Sequence, residues 1–553
     1  MAGTTRQLLH HVSALDGARQ PYLVCSPDGN LTDPMPVVVY LHDTLAEPTA
    51  EGFIEEAYRT AADWAPVVGE TQPLLFVQAF GRGNAGWLGP GGRDLLDLLT
   101  TLRHAFAVDE DRIALLGVGG GATGALQLAG WFPHKFSAVA AIGAWSNPQW
   151  DLPIGADDWP EWERAQRAAI APINLAKNLR GFPVYLEHPW WFNGLDGTTG
   201  LEHFEELCAA FKRSKANLEI ADEPARMRIN QQAPENRQKT LRWLLEHRRN
   251  PSPAEAHFTA FNLRASEFSW GRIHRLTHPG TPGTVEVKYA ESVLRIKTHG
   301  VETLEIISRL PTEHAPKRVE IDKQVVLDNG DSFPAVTLER IGKDWRHLPE
   351  LSLDRESNQN SPGKPFKSTR LAGPPMDLRW DQVLFVAGTL GDQADNRAVW
   401  GFLESLRRRW QVGSDSLQTH PGDKSAAIEY PLVLDTEVSQ EQMESHHLVL
   451  AGHPQCHLLL ARFASGLPCQ WRDENHSVMH LARKRHDDVR DVAFFLCPNP
   501  EVPERYLFVI GVNHASALAH AGKVSTAYLP DYFVHRGIVA RHWGFFDSDW
   551  RAD

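Results

Sequence analysis

Sulfur is scarce in this chain, and positive charge is in deficit. Five cysteines in 553 residues (Cys25, Cys208, Cys456, Cys469 and Cys497) stand far apart, odd in number and never as Cys-x-x-Cys. That spacing excludes a disulfide framework and a cysteine-built zinc site. Acids outnumber bases by 69 to 56, giving a net charge of −13. A phosphate backbone is met by clustered Lys and Arg, so the balance argues against a nucleic-acid partner. The basic triplets Arg407-Arg408-Arg409 and His247-Arg248-Arg249 fall in helical patterns that also carry acids, and they read as solvated faces. No apolar run reaches the length of a membrane span, so no membrane partner is expected. The first residues, Met1-Ala-Gly-Thr-Thr-Arg, lack the long apolar core of a secretory leader, and the expected location is cytoplasmic.

What is present is ordinary globular material: 42% hydrophobic and 23% charged residues, in a chain long enough for several domains. Residues 1–250 alternate short apolar runs with helical patterns, which predicts a mostly parallel sheet with helices on both faces. The predicted strands are Val37–Leu41, Leu74–Gln78, Ile113–Leu116, Ala138–Ile142, Val184–Glu187 and Leu218–Ile220. Helices are predicted over Asp94–Phe106, Leu201–Phe211 and roughly Glu235–Arg248, the last stopped by Asn250-Pro-Ser-Pro. Residues 251–345 switch to period two, as in Thr284-Val-Glu-Val-Lys-Tyr, and predict a small β-sandwich. Residues 346–378 are polar and proline-rich, a linker or extended arm. Strand–helix alternation returns over 379–553, predicting a second, smaller α/β domain with helices through Trp400–Trp410 and near Cys456–Phe463.

One turn carries the chemical question. The strand Ile113–Leu116 runs into Gly117-Val-Gly-Gly-Gly121, and a helix follows over Ala122–Gly130. Strand, sharp glycine turn and helix are the setting of the G-x-S-x-G nucleophile elbow. The serine position here is Gly119, flanked by Gly117 and Gly121. Glycine has no side-chain atom with which to attack a carbonyl, so acyl-enzyme chemistry cannot run from it.

Around this turn the chain resembles prolyl-oligopeptidase-like α/β-hydrolases, close to dienelactone-hydrolase-like and feruloyl-esterase-like domains. The resemblance is carried by Val38-Val-Tyr-Leu-His42, Val108-Asp-Glu-Asp-Arg-Ile-Ala-Leu-Leu-Gly117, Trp131-Phe-Pro-His-Lys-Phe and Trp243-Leu-Leu-Glu-His-Arg-Arg-Asn-Pro251. It implies an α/β-hydrolase fold with a triad acid after the strand ending at Glu187-His188, and a histidine after Leu218-Glu-Ile. The first of those loops holds no carboxylate before Asp196, and the second reads Ala225-Arg-Met-Arg-Ile-Asn. His42-Asp43 stands where the resemblance implies His-Gly in the oxyanion loop, and a carboxylate there would repel a developing oxyanion.

The reading is therefore a catalytically degenerate hydrolase-like protein acting as a binding or assembly module, self-associating or paired with an active paralogue. Two alternatives stay open. One is an active esterase or peptidase with a non-standard site, for which Asp43, His188 and Asp196 are the acid/base candidates. The other is a sugar or aryl binder using a tryptophan rim, with Trp145, Trp150, Trp190 and Trp191 as the contact residues. Thr123 reads as helix packing rather than a nucleophile. Gly388-Thr-Leu-Gly391 reads as a tight turn rather than an anion cradle. His446, His447, His453 and His457 read as surface and capping residues rather than zinc ligands, with His453 and His457 expected on one helix face. No metal and no cofactor is implied.

Overall fold

A computed structural model describes residues 4–28, 32–70, 73–147, 159–189, 199–221, 234–328, 330–348, 365–411, 428–472 and 478–552. The first sheet contains β1 (Thr4–Val12), β2 (Arg19–Pro27), β3 (Met35–Leu41), β4 (Leu75–Ala79), β5 (Val108–Val118), β6 (Ala138–Ile142), β7 (Pro183–Glu187) and β8 (Asn217–Ile220). Their order across the sheet is β1-β2-β4-β3-β5-β6-β7-β8. The first two strands pair antiparallel and β3 to β8 are parallel.

The interior strands are apolar at nearly every position because both faces are covered. Val37, Val39 and Leu41 pack into one core with α2 (Pro90–Ala105) and α3 (Gly120–Trp131), while Val38 joins α1 (Ala50–Gly69) on the other face. Leu95, Leu98, Leu99 and Leu102 are the buried stripe of α2. The strand pair β1–β2 and helix α1 had no counterpart in the pattern reading. In α1 the buried stripe mixes Phe53, Trp64, Val67 and Val68 with Ala57, Ala61 and Ala65, and Pro66 lies inside the helix, where proline in a sequence reads as a break. The remaining helices here are α4 (Glu161–Ile170), the single turn α5 (Pro172–Leu175), α6 (Thr199–Ser214) and α7 (Pro234–Glu246). Because α7 ends at Glu246, His247-Arg248-Arg249 is not a helix face. Instead Arg248 bonds Asp109 and Arg249 bonds Asp111, tying this segment to the start of β5.

Next come two five-stranded sheets around one apolar core. Their strands are β9 (Glu255–Ala260), β10 (Glu267–Phe268), β11 (Gly271–Leu276), β12 (Gly283–Ala290), β13 (Val293–His299), β14 (Val301–Ile307), β15 (Arg318–Ile321), β16 (Gln324–Asp328), β17 (Ala335–Ile341) and β18 (Asp344–Leu348). Alternate residues such as Val285, Val287, Leu294 and Ile296 point inward, which is the period-two signal.

The last sheet has the order β20-β19-β21-β26-β25-β27-β28. Its members are β19 (Val383–Ala387), β20 (Leu432–Leu434), β21 (His447–Gly452), β25 (Asp491–Pro498), β26 (Tyr506–Val512), β27 (Tyr532–Arg536) and β28 (Val539–Gly544). A three-stranded sheet of β22 (Cys469–Trp471), β23 (Met479–Leu481) and β24 (Lys484–His486) lies between β21 and β25 in sequence. The helices of this part are α8 (Gln393–Gln411), α9 (Gln440–Ser445), α10 (Leu458–Phe463) and α11 (Leu518–Ala521). Helix α10 starts at Leu458 with His457 as its N-cap, so His453 sits in the preceding turn and shares no helix face with His457.

The described part of the arm, from 365, is far from a solvated linker: Lys367, Leu371, Asp377 and Leu378 are all buried. Asp377 accepts from Arg264 at 2.6 Å and from the Tyr506 hydroxyl at 2.7 Å. Asp381 accepts from Arg264 at 3.1 Å and Arg93 at 3.2 Å. One charge network thus joins α2, the sandwich, the arm and the last sheet. Burial raises the Asp381 carboxyl, but the His447 imidazole 3.7 Å away and the charges of Arg264 and Arg93 outweigh it, holding Asp381 below the usual carboxylate range.

Candidate active site

The elbow forms as the sequence predicts, and glycine is needed there for steric reasons. Gly119, at the turn between β5 and α3, has φ 56° and ψ −121°, a region costly for any residue with a Cβ. A Cβ on Gly117 would meet the Gly121 carbonyl oxygen at 2.1 Å, and one on Gly121 would meet the Leu41 oxygen at 2.1 Å. These glycines let α3 start directly against β3 and β5.

The space above Gly119 belongs to Asp43. A Cβ on Gly119 would lie 2.2 Å from Asp43 Cγ. Asp43 Oδ1 accepts from Gly120 N at 2.7 Å and from Thr44 N at 2.8 Å. In an esterase elbow the N–H of the residue after the nucleophile helps bind the oxyanion. Here that N–H holds a carboxylate of the chain itself, which stands both where a serine would be and where the oxyanion would form. The same contact caps α3, whose N-cap residue has no side chain of its own.

The neighbouring groups contact other parts of the chain. His42 is buried, with Nε2 on the Phe80 carbonyl at 2.9 Å and Nδ1 on the Asp43 carbonyl at 2.5 Å. Burial lowers its basicity, those two bonds only partly compensating. Neither carboxylate oxygen of Asp43 reaches a histidine among the described residues. His188 follows β7, buried, its ring 5.5 Å from Phe204. Thr123 is buried and its hydroxyl accepts from Trp145 N at 2.9 Å, in helix packing as its position implied.

Trp145 is half-buried and sits edge-on to His203 at 4.9 Å. Trp150, Trp190, Trp191 and Asp196 lie outside the described residues. Nearby in sequence, Trp159 stacks under Arg167 at 3.6 Å, and Trp162 packs on Phe533 and Trp543 of the last sheet.

Sequence reasoning missed one polar group at this edge. The Ser146 hydroxyl lies 2.6 Å from His203 Nδ1 and donates to Glu206. The carboxylate is 4.0 Å from the imidazole, so both partners act on the hydroxyl and the acid does not orient the base as a triad requires. Ser146 is fully buried, and the group fastens α6 to the loop after β6. A histidine and a glutamate three apart on a helix are too common a pair to have marked it.

The last sheet repeats the self-filled turn. Asp435 accepts from Thr389 N at 3.1 Å, from Thr389 Oγ1 at 2.7 Å and from Leu458 N at 2.6 Å. The Gly388–Gly391 turn is thus occupied by the protein's own carboxylate. His447 Nδ1 accepts from Tyr506 N at 3.0 Å, and His457 Nε2 bonds the Val386 carbonyl at 3.1 Å. Among the described residues no group of three or more His, Cys, Asp or Glu could hold a metal, and no helix is long and apolar enough to cross a membrane.

Strand order, two antiparallel leading strands and a glycine elbow after β5 define the first domain as an α/β-hydrolase fold, in a chain that carries further sheet-rich domains. The chain matches no family model and no curated protein. Solved structures resemble it. A thermostable esterase is 18% identical over a match covering 44% of this chain and 63% of that one, at a TM-score of 0.32. An S-formylglutathione hydrolase from Agrobacterium tumefaciens is 18% identical, covering 44% and 96%, at 0.33. An acylaminoacyl peptidase from Pyrococcus horikoshii is 15% identical, covering 44% and 41%, at 0.31. This chain therefore spans less than two thirds of the esterase and of the peptidase. The fold assignment rests on the strand order and the elbow, not on these likenesses.

Proposed function

We propose that the hydrolase-like domain is catalytically silent and that the protein works as a binding or assembly module, through self-association or by pairing with an active relative. The observation that carries this reading is the Asp43 carboxylate on Gly120 N–H beside a glycine at the nucleophile position. A serine-type hydrolase of this fold needs a side-chain nucleophile at the elbow and a vacant donor for developing negative charge. Here the first is missing and the second is taken by a group of the same sign. A fluorophosphonate probe read by intact mass tests it. The natural protein is expected to stay unmodified. A stoichiometric adduct would overturn the proposal and identify the nucleophile. Gly119→Ser alone is a poor control, because the new side chain collides with Asp43. The control is Gly119→Ser with Asp43→Gly, which restores a hydroxyl and frees the donor together.

A further inference from the structure

Away from the elbow, a cleft opens where the first domain, the sandwich, the arm and the last sheet meet. Its space is about 910 Å³ counted out to the open mouth. The walls are largely apolar and aromatic. Trp131 and Trp380 stack at 5.9 Å and 16°, and Phe261 and Phe545 also line the cleft. The three ionic residues of the lining are already paired, Lys367 with Asp531 and Asp377 with Arg264.

Two neutral amides of the wall are only half used. Asn262 is half-buried and caps the short turn Leu263–Ala265, its Oδ1 accepting from Arg264 N at 3.0 Å and from Ala265 N at 3.3 Å. Those bonds fix which end of the amide is oxygen, so the other end is a donor. That donor, Nδ2, is accessible and has no hydrogen-bond partner among the described residues. Gln166, on α4, is held the opposite way round. Its Nε2 donates to the Trp162 carbonyl at 3.2 Å and the Tyr528 carbonyl at 2.6 Å, which leaves Oε1 as an accessible acceptor. The cleft thus presents one oriented donor and one oriented acceptor, each set by backbone bonds before a ligand arrives.

We propose that this cleft binds a small, neutral aromatic carboxamide. The ring lies among the aromatic walls, and the carbonyl oxygen accepts from Asn262 Nδ2. A carboxamide suits the lining better than a ketone or ester because it also brings N–H donors, for which Gln166 Oε1 is the free acceptor. A charged ligand would give up its hydration and find no unpaired opposite charge in return. This site is independent of the elbow and of the proposed catalytic silence.

The test is titration of benzamide into the full-length protein by calorimetry and saturation-transfer NMR, beside benzoate and benzylamine. Saturable benzamide binding, at least tenfold tighter than either ion, is expected. Asn262→Asp keeps the oxygen that caps Leu263–Ala265 and replaces only the donor by an acceptor, so it should weaken benzamide at least tenfold. Because a new carboxylate can disturb its surroundings, Ala165→Trp provides the second variant. Ala165 is a half-buried residue of the cleft wall, so the larger ring fills the space while both amides stay, and binding should vanish. No saturable benzamide binding, undiminished binding by Asn262→Asp, binding that survives Ala165→Trp, or equal binding of either ion would each overturn the proposal.

Discussion

If Asp43 holds the space above Gly119 and caps α3 from outside, the two positions are coupled, and a double-mutant cycle measures the coupling. Asp43→Ala removes the acceptor of the Gly120 N–H. Capping contacts of this kind contribute about 1 kcal/mol, and the exposure of Asp43 keeps the effect from being larger. Amide exchange in the first turn of α3, followed by mass spectrometry, should then rise about fivefold. Gly119→Ser has two costs. A left-handed backbone with a Cβ costs about 1–3 kcal/mol. The Cβ would also stand 2.2 Å from Asp43 Cγ, so the carboxylate must leave and the cap goes with it. In the Asp43→Ala background only the backbone cost remains. The serine should therefore be about 1 kcal/mol cheaper there, a difference above the roughly 0.3–0.5 kcal/mol scatter of independent sites. Exchange reports local opening of α3 directly, which suits a multidomain chain that will not unfold in one step. Equal cost of Gly119→Ser in both backgrounds would refute the reasoning, because the carboxylate would not then be where the serine must go.

Three further outcomes are expected. Arg82 is fully buried between Asp16 at 2.6 Å and Asp94 at 3.3 Å, so Arg82→Met removes the cation from both carboxylates, leaves buried Asp94 only His11 Nε2 at 3.4 Å, and should cost about 3 kcal/mol in thermal or urea denaturation; a loss under 1 kcal/mol would contradict this. Arg264→Leu strips Asp377 and Asp381 of their shared cation, and should move the unfolding transitions of the domains further apart and expose the arm to protease at lower denaturant; unchanged transitions and protection would count against the network as a clamp. His134 is held neutral by burial, which outweighs the pull of Glu267 and takes it from 6.5 to about 4. Its unfolded form therefore binds the extra proton between those values, so the stability it contributes is full above pH 6.5 and is lost as pH falls. From pH 6.5 to 5, at about 1.4 kcal/mol per unit, the loss is about 2 kcal/mol, and His134→Gln should flatten the slope of stability with pH by that amount.

Much of this was legible in the residues. The parallel strands show because strands covered on both faces must be apolar throughout, and β6 appears at its full bounds, Ala138–Ile142. The elbow shows because a strand running into a helix through so tight a turn needs glycine at 117 and 121, where a Cβ would strike backbone. The sandwich shows because one-sided burial imposes period two. What stayed hidden was set by partners remote in sequence. Helix α1 buries alanines that look neutral until β2 lies against them. The proline-rich arm looks solvated until Asp377 meets Arg264, 113 residues away. His453 and His457 look like a helix pair until the helix starts after both.

That position 119 offers no side-chain nucleophile is a property of the sequence alone, because no fold can give glycine an attacking atom. That Asp43 occupies the vacated place is a property of the tertiary structure, because 77 residues separate it from the Gly120 N–H it binds. Composition and pattern determine which faces must be buried and which bonds cannot be made. Only the folded chain decides which distant groups share a small volume, and it is there that Asp43 takes the oxyanion's donor and that Lys367 and Asp531 come to line one cleft.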